Sequence, residues 1–286
     1  MKLLGIVILY YPKKDVITNI NSYIDVLDKL IIWDNTPGGC RMNFPNHWNI
    51  RKMGVNENVG IGTALNEAVR YAMVNDFTHL LTMDQDSYFI DDHCKKYIDT
   101  IIQTNQRAII GPNYLLNNQI SFKVQDSFIN TYAPMTSGSV FPINVFEQIG
   151  LFREDFFIDH IDAEFCLRAK QNSYPIFTLP SVILVHTIGY QKKKHKFLWK
   201  TFYPNEYSPI RSYYIIRNGL ITQKLYPESK ADWKGFLFYW AYKRIFFILC
   251  YEDNKYKKIK GIILGYLHGK MGKTGKQTIF KETEKL

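Results

Sequence analysis

Asp84-Gln85-Asp86 follows directly on the apolar run Leu80-Leu81-Thr82-Met83. Two carboxylates one residue apart at the end of a buried strand can hold a hard divalent cation, which takes one or two protein carboxylates and fills its shell with phosphate oxygens and water. A solvated turn is the plainer reading of the same residues. Asp34-Asn35 ends a second apolar run, Ile31-Ile32-Trp33. A carboxylate there can accept from the imide N–H of a pyrimidine base, or fold back on its own chain as an Asx turn. Asp159 and Asp162 stand three apart and can share a face at a helix start. That placement suits a general base on a rigid element, and equally a pair of acids favoured by the helix dipole. His186 ends the apolar run Ile183-Leu184-Val185, as a metal ligand or as a satisfied structural histidine. Arg211 and Arg217, six apart, suit either bidentate anion recognition or a snorkelling surface helix.

The elements that must position these groups alternate in kind. Leu3–Tyr10, Lys29–Asp34, Trp48–Lys52, His79–Asp84 and Ala108–Asn113 read as strands, and Val16–Val26, Thr63–Asn75 and Asp91–Thr104 have helical periodicity. Alternation of this kind means an α/β fold with a mostly parallel sheet, in which ligands bind beyond the carboxyl ends of the strands. Asn56-Glu57-Asn58-Val59-Gly60-Ile61-Gly62 turns from strand to helix between the two acidic strand ends. It is a weak match to a dinucleotide fingerprint, because Leu65 stands at the third glycine position and the segment does not follow the first strand. From Phe197 onward the chain becomes aromatic and basic, with helical segments at Ser208–Gln223, Trp233–Tyr251 and Lys255–Lys270. The expected division is residues 1–196 for catalysis and 197–286 for a helical extension.

The chain has 286 residues, 46% hydrophobic and 15% aromatic, which excludes a disordered or fibrous protein. Cys40, Cys94, Cys166 and Cys250 are too far apart for a zinc ribbon or a disulfide framework and read as reduced thiols of a cytosolic protein. The formal charge of +10 is uneven: residues 1–189 carry 15 Lys+Arg and 19 Asp+Glu, net −4, and residues 190–286 carry 21 and 7, net +14. A basic tail of this kind wants a polyanion: nucleic acid, an anionic membrane or a phosphorylated substrate. The first eleven residues are broken too soon by Pro12-Lys13-Lys14 for a signal peptide, and Phe236–Cys250, interrupted by Lys243-Arg244, falls short of the ~20 residues of a spanning helix.

In order and spacing the set resembles family 2 glycosyltransferases, and within them is most similar to bacterial rhamnosyltransferases. The resemblance is carried by Val7-Ile8-Leu9-Tyr10-Tyr11-Pro12, Trp33-Asp34-Asn35, Asn58-Val59-Gly60-Ile61-Gly62-x-Ala64-x-Asn66, Asp84-Gln85-Asp86-Ser87, Ser137-Gly138, Phe157-Ile158-Asp159-x-x-Asp162-x-Glu164-x-Cys166-Leu167-Arg168, His186-x-x-Gly189 and Tyr207-Ser208-Pro209-x-Arg211-x-Tyr213-Tyr214-x-x-Arg217-Asn218. It implies a GT-A fold, a nucleotide-sugar donor, for which dTDP-L-rhamnose is the usual subgroup choice, and an inverting transfer assisted by Mg²⁺ or Mn²⁺. It further implies that Asp84, Asp86 and His186 serve the metal, and that Tyr10, Asp34, Asn58, Gly60, Asn66, Asp84, Arg211 and Arg217 serve the donor. Ser137, Gly138 and Asp159 would meet the acceptor, and Asp162 would be the base. Ile161 stands where the family often has Glu, which keeps Asp159 beside Asp162 as an alternative base.

The expected acceptor is a lipid-linked saccharide or oligosaccharide of cell-surface polysaccharide assembly, handled on the cytoplasmic face of the membrane. Aromatic residues Trp233, Phe236, Phe238, Tyr239, Trp240 and Phe246-Phe247 among Lys234, Lys243 and Arg244 suit an anionic bilayer surface, with packing on the core as the plainer account. A sugar-nucleotide-forming nucleotidyltransferase is the enzymatic alternative, though no Gly-rich, basic loop follows the first strand. A nonenzymatic binder of anionic membrane or nucleic acid is the other alternative; strand-end acids disfavour nucleic acid, which is not expected as a partner.

Overall fold

In the computed structural model the described residues are 1–186, 206–229 and 233–279, with the backbone of short strands at His195–Phe197 and Lys200–Phe202. Gly189 of the His186-x-x-Gly189 motif lies outside them. The chain divides into two compact units: Met1–Glu154 with Ile161–Thr187, and Asp155–His160 with Ile188–Leu286.

The first unit runs β1 (Leu3–Leu9), α1 (Asp15–Asn21), β2 (Lys29–Asp34), β3 (Ile50–Gly54), α2 (Ile61–Val74), β4 (His79–Asp84), β5 (Tyr88–Phe89), α3 (His93–Thr104), β6 (Ile109–Leu116), β7 (Gln119–Ile120), β8 (Ile129–Asn130), β9 (Val140–Pro142), α4 (Asn144–Ile149), α5 (Ile161–Gln171) and β10 (Ile176–Val185). The sheet order is β3-β2-β1-β4-β9-β6-β10-β5, with β7 on β6 and β8 on β10. β1 is buried along nearly its whole length, as a strand covered on both faces must be. It pairs in parallel with β2 and β4 in a register that sets Leu9 opposite Asp34 and Ile8 opposite Asp84, so the two acidic strand ends flank the end of β1. Parallel pairing holds across β3-β2-β1-β4 and between β6 and β10, while the three-residue β9 runs against both of its neighbours. Val7, Leu9, Leu30, Ile32, Leu81 and Met83 form one core with Val16, Ile20, Tyr97 and Ile101 of the helices. The helix expected over Val16–Val26 is interrupted: α1 ends at Asn21 and a 3₁₀ turn covers Ile24–Val26. The Ser22 hydroxyl donates to Asn19 O at 2.7 Å and accepts from Phe89 N at 3.0 Å, local bonding that competes with helix continuation.

The second unit holds the hairpin β11 (His195–Phe197) and β12 (Lys200–Phe202), then α6 (Pro209–Leu225), α7 (Trp233–Phe238), a π turn (Tyr239–Lys243), α8 (Arg244–Tyr251) and α9 (Lys255–Met271). Ser208 caps α6, accepting from Arg211 N at 3.2 Å, with Pro209 at the first helical position. α9 lies close along α6 because glycines face it: a Cβ on Gly265 would fall 2.5 Å from Tyr213 O, and one on Gly269 3.0 Å from Arg217 O. Ile216, Leu220, Trp240, Ile248 and Ile262 form the core of this unit. Among the described residues no helix is long and apolar enough to cross a membrane.

Candidate active site

Asp84 closes β4, and Asp84, Asp86 and His186 each offer a ligand atom within 4.8 Å of the others. Asp86 Oδ1 lies 3.6 Å from His186 Nδ1, and the buried Ser87 hydroxyl lies 2.7 Å from the same nitrogen. The Ser87 bond engages Nδ1 and fixes the orientation of the ring. Two carboxylates and an imidazole on a sheet edge fit a divalent ion that keeps further positions for phosphate and water. Gln85, between the two aspartates, has a different task. Its amide donates to Tyr10 O at 3.0 Å and accepts from Tyr10 N at 2.9 Å, which locks the end of β1 to the end of β4. The DQD triplet thus supplies two candidate ligands and one staple, and the staple escapes a reading that looks only for charge.

The Asp34 carboxylate accepts from Thr36 N at 2.9 Å and from Cys40 N at 2.5 Å. Burial pushes its pKa up, but the amide donors of Cys40 and Thr36 outweigh that and hold it below the ordinary carboxylate value. Asp34 therefore orders its own loop as an anion. Asn35 Nδ2 donates to Asn58 Oδ1 at 3.0 Å and Val59 N to Asn35 Oδ1 at 2.9 Å, while Asn58 Oδ1 also takes Gly60 N at 3.1 Å. These bonds stitch the β2 loop to the turn before α2, where Gly60 has φ 89°.

Asn66, expected among the donor contacts, has its side-chain amide bonded within the protein. It is buried, donates to Phe152 O at 2.9 Å and Glu154 Oε1 at 2.8 Å, and accepts from Phe152 N at 2.9 Å. The close approach that Gly62 permits is likewise to the protein itself, since a Cβ there would fall 2.6 Å from Arg153 O.

One short loop touches both sets of acids in the first unit. Ser137 Oγ accepts from Asp84 N at 3.1 Å, Thr136 N donates to Asp162 Oδ2 at 3.3 Å, and Thr82 Oγ1 donates to Thr136 O. Gly138 N donates to Thr82 O at 2.7 Å, and its φ of 79° with Pro112 and Leu184 side chains 2.7 and 2.8 Å from a would-be Cβ demands glycine. Ser137, 1% exposed, and Gly138, buried, were expected to meet an acceptor; both lie in the loop that ties β4 to the first turn of α5. Asp162 sits half-buried in that turn.

In the second unit, Arg211 donates through Nε and Nη2 to Asp159 Oδ1 at 3.3 and 3.2 Å. Arg217, expected at the donor, is fully buried and donates to Gly275 O at 2.6 Å, Phe156 O at 2.9 Å and Asp155 O at 3.2 Å. Asn218 Nδ2 reaches Phe156 O, Ile158 O and Asp159 O at 2.9, 2.8 and 3.0 Å. The pair clamps a segment in which Phe157, Asp159 and His160 have φ of 67°, 63° and 63°, a conformation that needs outside support. Both Nη groups of Arg217 are engaged by main-chain carbonyls and its Nε donates to Asn218 Oδ1 at 2.8 Å, so it ties this segment together from the interior.

The fold is that of the GT-A glycosyltransferases. S. aureus TarS 1–349, solved in complex with UDP-GlcNAc, superposes with a TM-score of 0.57 at 15% identity, covering 91% of this chain and 79% of that one. GalNAc-T7, solved with UDP, GalNAc and Mn²⁺, gives 0.56 at 9% identity, covering 91% and 54%. No protein-family profile matches the chain. In sequence it is similar to the dTDP-rhamnosyl transferase RfbF of Shigella flexneri, 24% identical over 95% of this chain and 96% of the relative. It is also similar to the low-salt glycan biosynthesis hexosyltransferase Agl10 of Haloferax volcanii, 22% identical over 96% and 92%. Fold, strand-end acids and relatives matched over nearly their whole length together make this chain a glycosyltransferase.

Proposed function

We propose that the chain transfers L-rhamnose from dTDP-L-rhamnose, with inversion, to a lipid-linked saccharide or oligosaccharide on the inner face of the cell membrane. The likeness to RfbF over nearly the whole of both chains supports the donor. The observation that carries the chemistry is the 136–138 loop, which hydrogen-bonds to the Asp84 strand end on one side and to Asp162 on the other. Inverting transfer needs a base on one face of the sugar and stabilisation of the leaving diphosphate on the other.

Asp162 takes the proton of the acceptor hydroxyl, whose oxygen attacks the anomeric carbon as the bond to the diphosphate breaks and the diphosphate departs with its electron pair. Mg²⁺ or Mn²⁺ held by Asp84, Asp86 and His186 would offset the charge of that leaving group. Asp34 offers its carboxylate to the pyrimidine, while Asn35 and Asn58 keep its loop in shape. Asp159 is engaged by Arg211, which favours Asp162 as base. The test is a transfer assay over a panel of nucleotide sugars with Mn²⁺ present. Release of dTDP from dTDP-L-rhamnose well above that from UDP-sugars is expected, and equal turnover of UDP-hexoses would overturn the donor assignment.

A further inference from the structure

The continuous helix formed by α7, the π turn and α8 carries its polarity reversed. Trp240, Arg244 and Ile248, spaced four apart, form its buried side. Arg244 is fully buried and donates through both Nη atoms to Glu252, and Lys258 Nζ donates to the same carboxylate at 2.7 Å. Separating any member of such a trio strands a charge in apolar surroundings, so the helix is pinned with Arg244 inward. The opposite side must then face out. It presents Phe238, Tyr242, Phe246 and Leu249, spaced four, four and three apart and 54%, 66%, 49% and 51% exposed. The Phe238 and Tyr242 rings pack on each other at 5.2 Å. The π turn at Tyr239–Lys243 lies between Phe238 and Phe246 in this row.

Charge indicates what covers this row. Residues 190–286 have net charge +14. Exposed Lys234 and Lys243 lie on the same helix, and exposed Lys255, Lys257 and Lys260 open α9. An outward aromatic row with lysines about it, on a helix too short and too charged to span, has the chemistry of an interfacial helix. We propose that this helix docks in the headgroup layer of an anionic bilayer, with Phe238, Tyr242, Phe246 and Leu249 at the acyl boundary and the lysines on lipid phosphates. The proposal rests on the membrane-borne acceptor of the proposed function and names the surface that would bring the enzyme to it.

The test is flotation of the full chain with phosphatidylglycerol-containing vesicles and with pure phosphatidylcholine vesicles, for the natural sequence and for the Phe238→Ser/Phe246→Ser variant. Both positions are exposed, so the fold should tolerate the change. The natural chain should float with the anionic vesicles only and be released by salt, and the variant should bind at least about tenfold more weakly. Undiminished flotation of the variant, or no binding by the natural chain, overturns the proposal. So does self-association in sedimentation that the variant abolishes, which would assign the row to a second copy of this chain. Sugar transfer to a soluble acceptor, run in parallel, separates the two readings: transfer without flotation sinks only this proposal, and flotation without transfer sinks the activity.

Discussion

Asp162 and Asp34 are both carboxylates held by main-chain amides, yet their surroundings suit them to different work. Asp162 receives Thr136 N at 3.3 Å in the first turn of a helix, a rigid seat for a group that must take up and give back a proton. Asp162→Asn should keep its fold and donor binding and lose about 10²–10⁴-fold in kcat; full activity in that variant would return the base to Asp159 or abolish the mechanism. Asp34 is held anionic by Cys40 N and Thr36 N. Its folded pKa lies below the ordinary carboxylate value, so its stabilisation is complete above that ordinary value and drains away as pH falls through the folded pKa. Asp34→Asn should therefore be less stable than the natural chain in urea near neutral pH, by about 1–3 kcal/mol. The gap should close in acid, as the pH falls through the folded pKa and the native carboxylate takes up its proton. A gap that stayed constant with pH would show that the charge of Asp34 is irrelevant to its loop.

Elements with strong periodicity were legible in the sequence, and the acids at their ends with them. β2 and β4 were read to the residue, and α2, α3, α6 and α9 nearly so. β9 was not, because a three-residue strand has too few side chains for a period to show. The acidic strand ends could be found because the carboxyl edge of a parallel sheet is where apolar runs give way to polar loops. The tasks of Asn66, Ser137, Arg217 and Asn218 could not, since each bonds to main chain far away in sequence, and a polar side chain looks the same whether it meets a ligand or a carbonyl. Arg217 and Asn218 give the element-scale prediction. Asn218→Ala removes the side-chain donor shared by the carbonyls of Phe156, Ile158 and Asp159, of which Phe156 O keeps Arg217 Nη2 and Ile158 N, and should cost about 1–3 kcal/mol in denaturant unfolding. Because the clamped segment leads directly into α5, the variant should also lower kcat more than it raises KM, while Asn218→Asp, which cannot donate, should give no rescue. Loss of stability with unchanged kcat would confine the clamp to folding.

Across the whole molecule, the net charge of +10 hides a first part at −4 and a second at +14, and the two parts face different electrostatic problems. The sheet edge of the first unit holds Asp34, Asp84 and Asp86, and a nucleoside diphosphate brought to it adds more negative charge. Asp84 and Asp86 cannot receive that anion on their own, so binding of the nucleotide and of the divalent cation should be strongly coupled, each raising the affinity for the other by the same factor. dTDP with Mn²⁺ at about a hundred times its dissociation constant should stabilise the native state by about 2.7 kcal/mol and raise Tm by several degrees. dTDP with EDTA should leave Tm close to that of the chain alone. Asp86→Asn should move the metal requirement to higher concentration without changing the unliganded Tm by much, because Asp86 is exposed. Hydrogen exchange under the same conditions should show new protection from Asp84 to Ser87 and over residues 136–138, with α9 unchanged. An equal Tm shift with EDTA and with Mn²⁺ would mean that the acidic edge is not where the diphosphate lies, and would leave the basic second unit as the place to look for it.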